Sequence, residues 1–188
     1  RFLKRWSNWR KGLHKYEANL YVLAPPPVLP FGSKYRTINK LNQRLISRTV
    51  NRALRQFPSR SIDVFTFLPS AVDLLPLLNH NRVIYDCVDD HAAFTGLIDA
   101  DVIQRMEREL MSQADVCFAT ARKLYEDRKD WNDNFHIIPN GAEFERFACD
   151  APAVPAVPVD MVGIEHPIVG FVGGISDWVD VGLMAATA

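Results

Sequence analysis

The sequence predicts an α/β protein built on a parallel sheet, and three features of the chain support this. Short apolar runs alternate with longer segments in which apolar residues recur at helical spacing. The short runs are continuously apolar, which is typical of strands in a parallel sheet that helices cover on both faces. A Pro-rich stretch at 148–166 then precedes another apolar run, so we expect a second α/β unit to begin there.

The first elements follow from periodicity and from the residues that end each run. Residues 1–16 place aromatic and apolar side chains at steps of four and three among basic residues, as a basic amphipathic helix does. The apolar run 19–24 ends at three prolines, which predicts a strand that leads into a rigid loop. From Tyr35 to Phe57 the apolar positions follow a helical period, and Pro58 ends the predicted helix.

The later elements continue this alternation. In order, they are predicted to be a strand at 62–67, a short helix from Pro69, a strand at 82–88, a helix at 99–114, a strand at 116–120, a helix at 122–131 and a strand at 135–139. Beyond the Pro-rich linker, the run 168–172 predicts a buried strand that leads through Gly173 and Gly174 into a helix.

Composition and cysteine usage limit the classes of protein to which this chain can belong. Hydrophobic residues make up 48% of the chain, and no apolar run is long enough to predict a membrane span or a secretory signal. Cys87, Cys117 and Cys149 are odd in number and lack metal-ligand spacing, which argues against a disulfide scaffold or a metal site and favours a reducing cytoplasm. Cys87 and Cys117 lie in apolar strand-like runs, which favours buried inert thiols over a nucleophile. Because the chain begins at Arg1 and stops within a helical pattern, we expect a partial sequence.

Charge is distributed unevenly along a chain whose net charge is zero. Residues 1–60 carry 14 Lys and Arg against one acid, Glu17, whereas residues 61–188 carry 8 Lys and Arg against 21 Asp and Glu. This asymmetry indicates either an anionic partner for the first third or attraction between the two parts of the chain. Within the helix predicted from Tyr35, cations recur at every fourth position, namely Arg36, Lys40, Arg44, Arg48 and Arg52. Such a row is either a solvated helix face or a surface for anionic lipid headgroups, and repulsion among the cations favours an anionic partner.

Several segments, taken together and in order, resemble the large retaining group of GT-B glycosyltransferases. They are YDCVDD at 85–90, EREL at 107–110 with ADV at 114–116, IPNGA at 138–142, and PIVGFVGGISDW at 167–178, which resembles the start of the second domain in that group. The glycosyltransferase family 4-like, teichuronic acid-type branch is the most similar, and the resemblance extends over about residues 19 to 188.

The resemblance implies two Rossmann-like domains that face a cleft. Residues 1–147 would be the acceptor-side domain without its start, 148–166 a linker, and 167–188 the beginning of the donor-side domain. The implied activity is hexosyl transfer from a nucleotide sugar to a saccharide or lipid-linked envelope acceptor, without cofactor or metal. The basic segments of the first third, and not the resemblance, predict peripheral contact of this cytoplasmic protein with the inner face of the membrane. Since the family's donor-phosphate residues and acidic donor motif would follow Ala188, we expect this chain to be inactive alone.

Candidate site residues lie in two loops. Asp89, Asp90 and His91 follow a predicted parallel strand, where loops line the ligand crevice, and a carboxylate there can orient or deprotonate an acceptor hydroxyl. Helix capping by the two aspartates, and a purely structural His91, are the alternatives. In the family's pattern a His often stands where Asp89 falls. Gly173 and Gly174 would let backbone N–H groups approach the donor diphosphate, although a plain tight turn explains them equally.

Two other functions compete with glycosyl transfer. A nucleic-acid-binding protein would use the basic first third to contact phosphates, with Trp6, Trp9, Tyr16 and Tyr35 stacking on bases. However, no nucleic-acid-binding module pattern occurs and the other two thirds are acidic. A Rossmann-like oxidoreductase is disfavoured because no glycine fingerprint follows any predicted strand before residue 167.

Overall fold

A computed structural model describes residues 6–7, 9–58, 61–147, 158–165, 167–176 and 179–187. The chain divides into two compact units, Arg1–Gly141 and Ala142–Ala188. The first unit contains a four-stranded parallel sheet, so the predicted α/β class with a parallel sheet is confirmed. The architecture is compatible with a Rossmann-like fold.

The first unit begins with an antiparallel hairpin. Strands β1 (Leu13–Glu17) and β2 (Leu20–Leu23) pair so that Leu13 lies opposite Leu23. The helix predicted over 1–16 is therefore wrong from residue 13 onward, and the strand predicted at 19–24 belongs to the hairpin instead of the parallel sheet. Gly12 explains the difference, because it adopts a φ of +63° and its amide donates to the Trp9 carbonyl at 3.0 Å. A left-handed glycine of this kind ends a helical turn.

The parallel sheet has the order β3-β4-β5-β6, which is also the chain order. Its strands are β3 (Ile62–Thr66), β4 (His80–Cys87), β5 (Val116–Ala119) and β6 (Phe135–Ile137). Helix α1 (Arg36–Leu54) precedes β3, α2 (Ala100–Gln113) connects β4 to β5, and α3 (Arg122–Arg128) connects β5 to β6. Short 3-10 helices, including Pro69–Asp73 and His91–Ala93, lie in the connections.

The core lies on one face of this sheet. Tyr85 on β4 and Cys117 on β5 stand side by side and are fully buried, together with Met106 and Leu110 of α2. The opposite face carries Phe65, 52% exposed, and the exposed His136. The prediction of helices on both faces is therefore wrong for the part of the chain that is described. When successive parallel strands are added in one direction, each right-handed crossover places its helix on the same face.

Helix α1 buries polar side chains. Its buried residues are Asn39, Asn42, Gln43, Ser47 and Ala53, whereas the apolar residue Leu41 is 44% exposed. The Asn42 amide donates to the Leu29 carbonyl and accepts from the Leu29 amide, both at 2.9 Å, and Asn39 Nδ2 donates to Asp73 Oδ2 at 2.8 Å. The helix is thus attached to the preceding loop and to the Pro69–Asp73 helix by hydrogen bonds, which satisfy its buried amides.

The second unit contains little regular structure among its described residues. These form helices α4 (Phe144–Phe147) and α5 (Val181–Thr187) and a 3-10 helix at Val159–Met161. The predicted linker 148–166 falls partly outside the described residues. The strand predicted at 168–172 is wrong, because residues 167–176 form no strand and Val169 and Val172 are exposed. A strand needs neighbours for its backbone hydrogen bonds, and no described segment pairs with this one.

Candidate functional site at the carboxyl edge of the parallel sheet

The loop after β4 is held between the ends of the neighbouring strands. Thr120, which follows β5, donates its amide to the Cys87 carbonyl at 3.2 Å and its hydroxyl to the Val88 carbonyl at 3.1 Å. On the other side, His91 Nε2 lies 2.9 Å from the Phe67 carbonyl beyond β3. Since a carbonyl only accepts, Nε2 carries the proton in this contact. The loop that holds the predicted site residues is therefore fixed at both sides.

Asp89 presents an open carboxylate on this fixed loop. Its backbone carbonyl accepts from the His91 amide at 3.1 Å and lies 3.8 Å from Cys87 Sγ. Its side chain is exposed, and among the described residues no group forms a hydrogen bond or ion pair with its carboxylate. A carboxylate with a held backbone and free oxygens can accept hydrogen bonds from a solute.

Asp90, the next residue, is tied into the core. Its Oδ1 accepts from Arg128 Nη2 at 2.9 Å, while Arg128 Nε donates to Glu107 Oε1 at 3.0 Å. The exposed fractions of these side chains fall from 47% for Asp90 to 5% for Arg128 and 0% for Glu107. Asp90 precedes the 3-10 helix His91–Ala93 but makes no capping hydrogen bond with its side chain. Its observed contact is an ion pair that links the loop to α3 and α2.

Glu107 is the centre of this buried network. Besides Arg128, its Oε1 accepts from the Tyr85 hydroxyl at 2.8 Å and from Cys87 Sγ at 3.4 Å, whereas Oε2 has no partner among the described groups. Burial, reinforced by Glu107, raises the pKa of Cys87 to about 12 and also raises the pKa of Tyr85. Both groups are therefore neutral donors near pH 7, and Cys87 is not poised as a nucleophile.

The charge of Arg128 is retained despite its burial. Burial alone would lower the pKa of a guanidinium, but Glu107, Cys87 and Asp90 outweigh it and the pKa of Arg128 is raised. The ring of Trp131 lies 5.6 Å from the guanidinium carbon and covers one side of it. Arg128 is thus a permanent cation that holds two carboxylates from different elements.

The sequence did not point to Arg128 or Glu107 as site residues. Glu107 entered only as part of a family-like segment, and Arg128 lies in a charged stretch that reads as a solvated helix face. One signal for Arg128 exists, because it lies four residues after Leu124 and therefore shares a helix face with a core residue.

The five regularly spaced cations of α1 do not form one stripe. At 3.6 residues per turn, each step of four residues advances about 40° around the helix, so Arg36 and Arg52 are separated by about 160°. Arg36 pairs with Asp73 at 2.9 Å and with Glu109 at 2.5 Å, and these partners raise its pKa. Lys40 and Arg44 line one cavity with these acids, whereas Arg48 and Arg52 line another. The row is therefore divided between two cavities, the charge of Arg36 is compensated within the fold, and contact of the row with anionic headgroups stays a prediction.

Gly173 and Gly174 lie in the second unit, in a segment without regular structure. A side chain at Gly174 would meet nothing within 4 Å, and a Cβ at Gly173 would lie 3.3 Å from the Phe171 ring. The predicted strand that should precede them is absent from the described residues. Their donor contact therefore stays a prediction.

Neither a metal site nor a known relative assigns a function to this chain. No group of three or more potential metal ligands occurs in the described part of the chain. Within the same residues, every helix is too short or too polar to cross a membrane. Comparison with known proteins does not place the chain in a family, because neither a family model nor a curated protein matches it.

Proposed function

We propose that this chain is part of a retaining, GT-B-type glycosyltransferase, in which the parallel-sheet unit holds the acceptor. The observation that carries the proposal is the pair Asp89 and Asp90 at the carboxyl edge of the sheet, where one carboxylate is open and the other fixes the loop. Ligands of open parallel sheets bind at this edge. The resemblance in sequence supplies the reaction class, since a fold alone does not define an activity.

In this proposal Asp89 accepts a hydrogen bond from the acceptor hydroxyl and orients its oxygen toward the anomeric carbon of the donor. The acceptor oxygen forms the new glycosidic bond at that carbon, the nucleoside diphosphate leaves with the electrons of the broken bond, and the proton of the acceptor hydroxyl passes to the departing phosphate oxygen. Transfer of this kind depends mainly on positioning and on stabilising the departing phosphate charge. Backbone N–H groups at Gly173 and Gly174 would contribute to the second of these, and the reaction as proposed uses no metal or cofactor.

The proposed acceptor is a saccharide, free or lipid-linked, used in the synthesis of a cell-envelope polysaccharide. A cytoplasmic protein at the inner face of the membrane would meet such an acceptor. Exposed cations on α1, such as Lys40 and Arg44, would favour contact with anionic headgroups at about 1 kcal/mol for each cation near the surface.

The test of the acceptor site is a titration of the isotope-labelled 188-residue chain with methyl glycosides and short oligosaccharides, followed by NMR. We expect amide shifts in residues 88–94 and their loss in Asp89→Asn. The matched control is Asp133→Asn, which removes an exposed carboxylate near the amino end of β6. Shifts that persist unchanged in Asp89→Asn, or that no saccharide produces, would contradict the proposal.

The test of the donor is a titration of the same chain with UDP-glucose and GDP-mannose. We expect binding, with shifts among residues 167–176, because the resemblance implies that Gly173 and Gly174 contact the donor. The competing function is tested by a gel shift with single-stranded oligonucleotides. A steeply salt-dependent shift without any response to saccharides or nucleotide sugars would favour a nucleic-acid-binding protein.

A further inference from the structure

A cavity of about 430 Å³ lies between the hairpin and the C-terminal half of α1, apart from the loop after β4. Its cationic lining consists of Arg10, which comes just before the hairpin, and Arg48 and Arg52, which lie one helical turn apart on α1. Thr49 and Gln56 add polar groups to the wall. The volume is within the range of small-molecule sites.

The charge of this cavity is uncompensated. Among the described residues, no acidic side chain lines it and no carboxylate pairs with Arg10, Arg48 or Arg52. The contrast with the other end of α1 is direct, because the cavity lined by Lys40 and Arg44 also contains Asp73 and Glu109. Helix α1 thus has acidic partners at its beginning, where Arg36 pairs with both acids, and none among the described residues at its end. Three guanidinium groups around one cavity repel each other, and an anion between them would relieve this repulsion.

The remaining wall is apolar and aromatic. Leu13 of β1, Leu23 of β2 and Ala53 of α1 line it together with the half-buried Trp9, whose ring packs edge-to-face on Trp6 at 5.2 Å. An indole next to guanidinium groups favours a ligand in which a planar or apolar group is joined to the anion. The N–H donors of a guanidinium are spaced to bind two oxygens of a phosphate at once, which a single-atom anion cannot offer.

We propose that this cavity binds a phosphate-bearing ligand, with Arg10, Arg48 and Arg52 on the phosphate and Trp9 against the group that carries it. The ligand is either a soluble phosphate ester or the phosphate headgroup of a lipid, which share this chemistry. The site is separate from the proposed acceptor loop and does not depend on the proposed function. Two of its cations, Arg48 and Arg52, belong to the predicted row on α1, and the third, Arg10, does not.

Isothermal titration calorimetry with pyrophosphate and with phenyl phosphate tests the site in the 188-residue chain. We expect Arg10→Gln, Arg48→Gln and Arg52→Gln each to weaken binding of both probes by about tenfold, the effect of losing one charge-assisted hydrogen bond. Trp9→Leu should weaken phenyl phosphate and leave pyrophosphate unchanged. The control is Arg55→Gln, which removes an exposed cation of the same segment that does not line the cavity.

Sedimentation with phosphatidylcholine vesicles, with and without phosphatidic acid, distinguishes the two sources of phosphate. Binding of the soluble probes without vesicle binding supports a soluble ligand. Pelleting that needs phosphatidic acid, is lost in Arg48→Gln and is competed by pyrophosphate supports a headgroup. The proposal is overturned if neither probe nor vesicle binds, or if Arg55→Gln weakens binding as much as the cavity variants do. Circular dichroism of each variant confirms that it is folded.

Discussion

Replacing Arg128 by Met tests the buried ion-pair network most directly. Glu107 is 0% exposed and Arg128 is its only cationic partner among the described residues. Removing one member of a buried pair costs about 3 to 5 kcal/mol, because the other charge is left without compensation. The Tyr85 hydroxyl and the Cys87 thiol still donate to Glu107, so we expect the lower end of that range. Methionine keeps the length of the side chain and its contact with the Trp131 ring.

The double variant Glu107→Gln/Arg128→Met separates loss of the pair from loss of packing. Glu107→Gln alone leaves Arg128 with Asp90, a half-exposed partner, and should also destabilise the chain. Removing both charges leaves no uncompensated ion, and such replacements are often nearly neutral. We therefore expect the loss in free energy of unfolding of the double variant to be about 2 kcal/mol smaller than the sum of the losses of the two single variants.

The assay is urea unfolding at pH 7, followed by far-ultraviolet circular dichroism and tryptophan fluorescence. Lys123→Met is the matched control, since it breaks an exposed pair with Asp127 on the same helix and should change the free energy of unfolding by less than about 0.5 kcal/mol. A loss below about 1 kcal/mol for Arg128→Met, or strict additivity in the double variant, would refute the network.

Arg36→Gln should lower the free energy of unfolding by about 1 kcal/mol because the half-exposed guanidinium bridges two acids, whereas Arg44→Gln on the same helix should change it little in the same urea assay. With Cys149 replaced by Ser, Cys87 and Cys117 should react with a disulfide reagent at pH 8 only after unfolding, since burial raises the pKa of each to about 12. Rapid labelling of the folded chain would contradict this prediction. Because both thiols stay protonated in the folded state, their contribution to the free energy of unfolding is complete below pH 9 and should be lost as the pH rises toward 12. Finally, dye binding and aggregation should fall, with unchanged circular dichroism, when Ser replaces the exposed apolar residues Val169, Val172 and Ile175.

The strands of the parallel sheet were predictable because each signal is local. Runs such as 62–67 and 82–88 combine β-branched residues with flanking breakers, and β3 and β4 begin and end within two residues of these limits. Strand order is not local, so the sequence alone did not reveal that both crossover helices share one face. The strand predicted at 168–172 has the same local pattern as β4, but no described neighbour completes its hydrogen bonds.

Helical periodicity was an unreliable guide in two basic segments, residues 1–16 and helix α1. In residues 1–16, aromatic residues at helical spacing outweighed Gly12, whose left-handed backbone in fact starts the hairpin. In α1, the apolar residues alone do not mark the face that is buried. The side-chain amides of Asn39 and Asn42 are buried because the Pro69–Asp73 helix and the loop before α1 accept their hydrogen bonds. The segments that pack against a helix determine which of its faces is buried, and the sequence of the helix alone does not reveal those segments.

Asp89 and Asp90 show why the site was only half predictable. They are adjacent and chemically identical, and the sequence assigned them the same two alternatives. The structure separates them through Arg128, which lies 38 residues beyond Asp90 and is held from below by Glu107. Because one guanidinium already satisfies Asp90, that carboxylate fixes the loop, and Asp89 is the carboxylate left free to meet a solute. A substitution at Asp90 should therefore act on the order of the loop, and one at Asp89 on what the loop binds. Hydrogen exchange of residues 88–94 should rise in Asp90→Asn and stay unchanged in Asp89→Asn, and the opposite pattern would reverse the two roles.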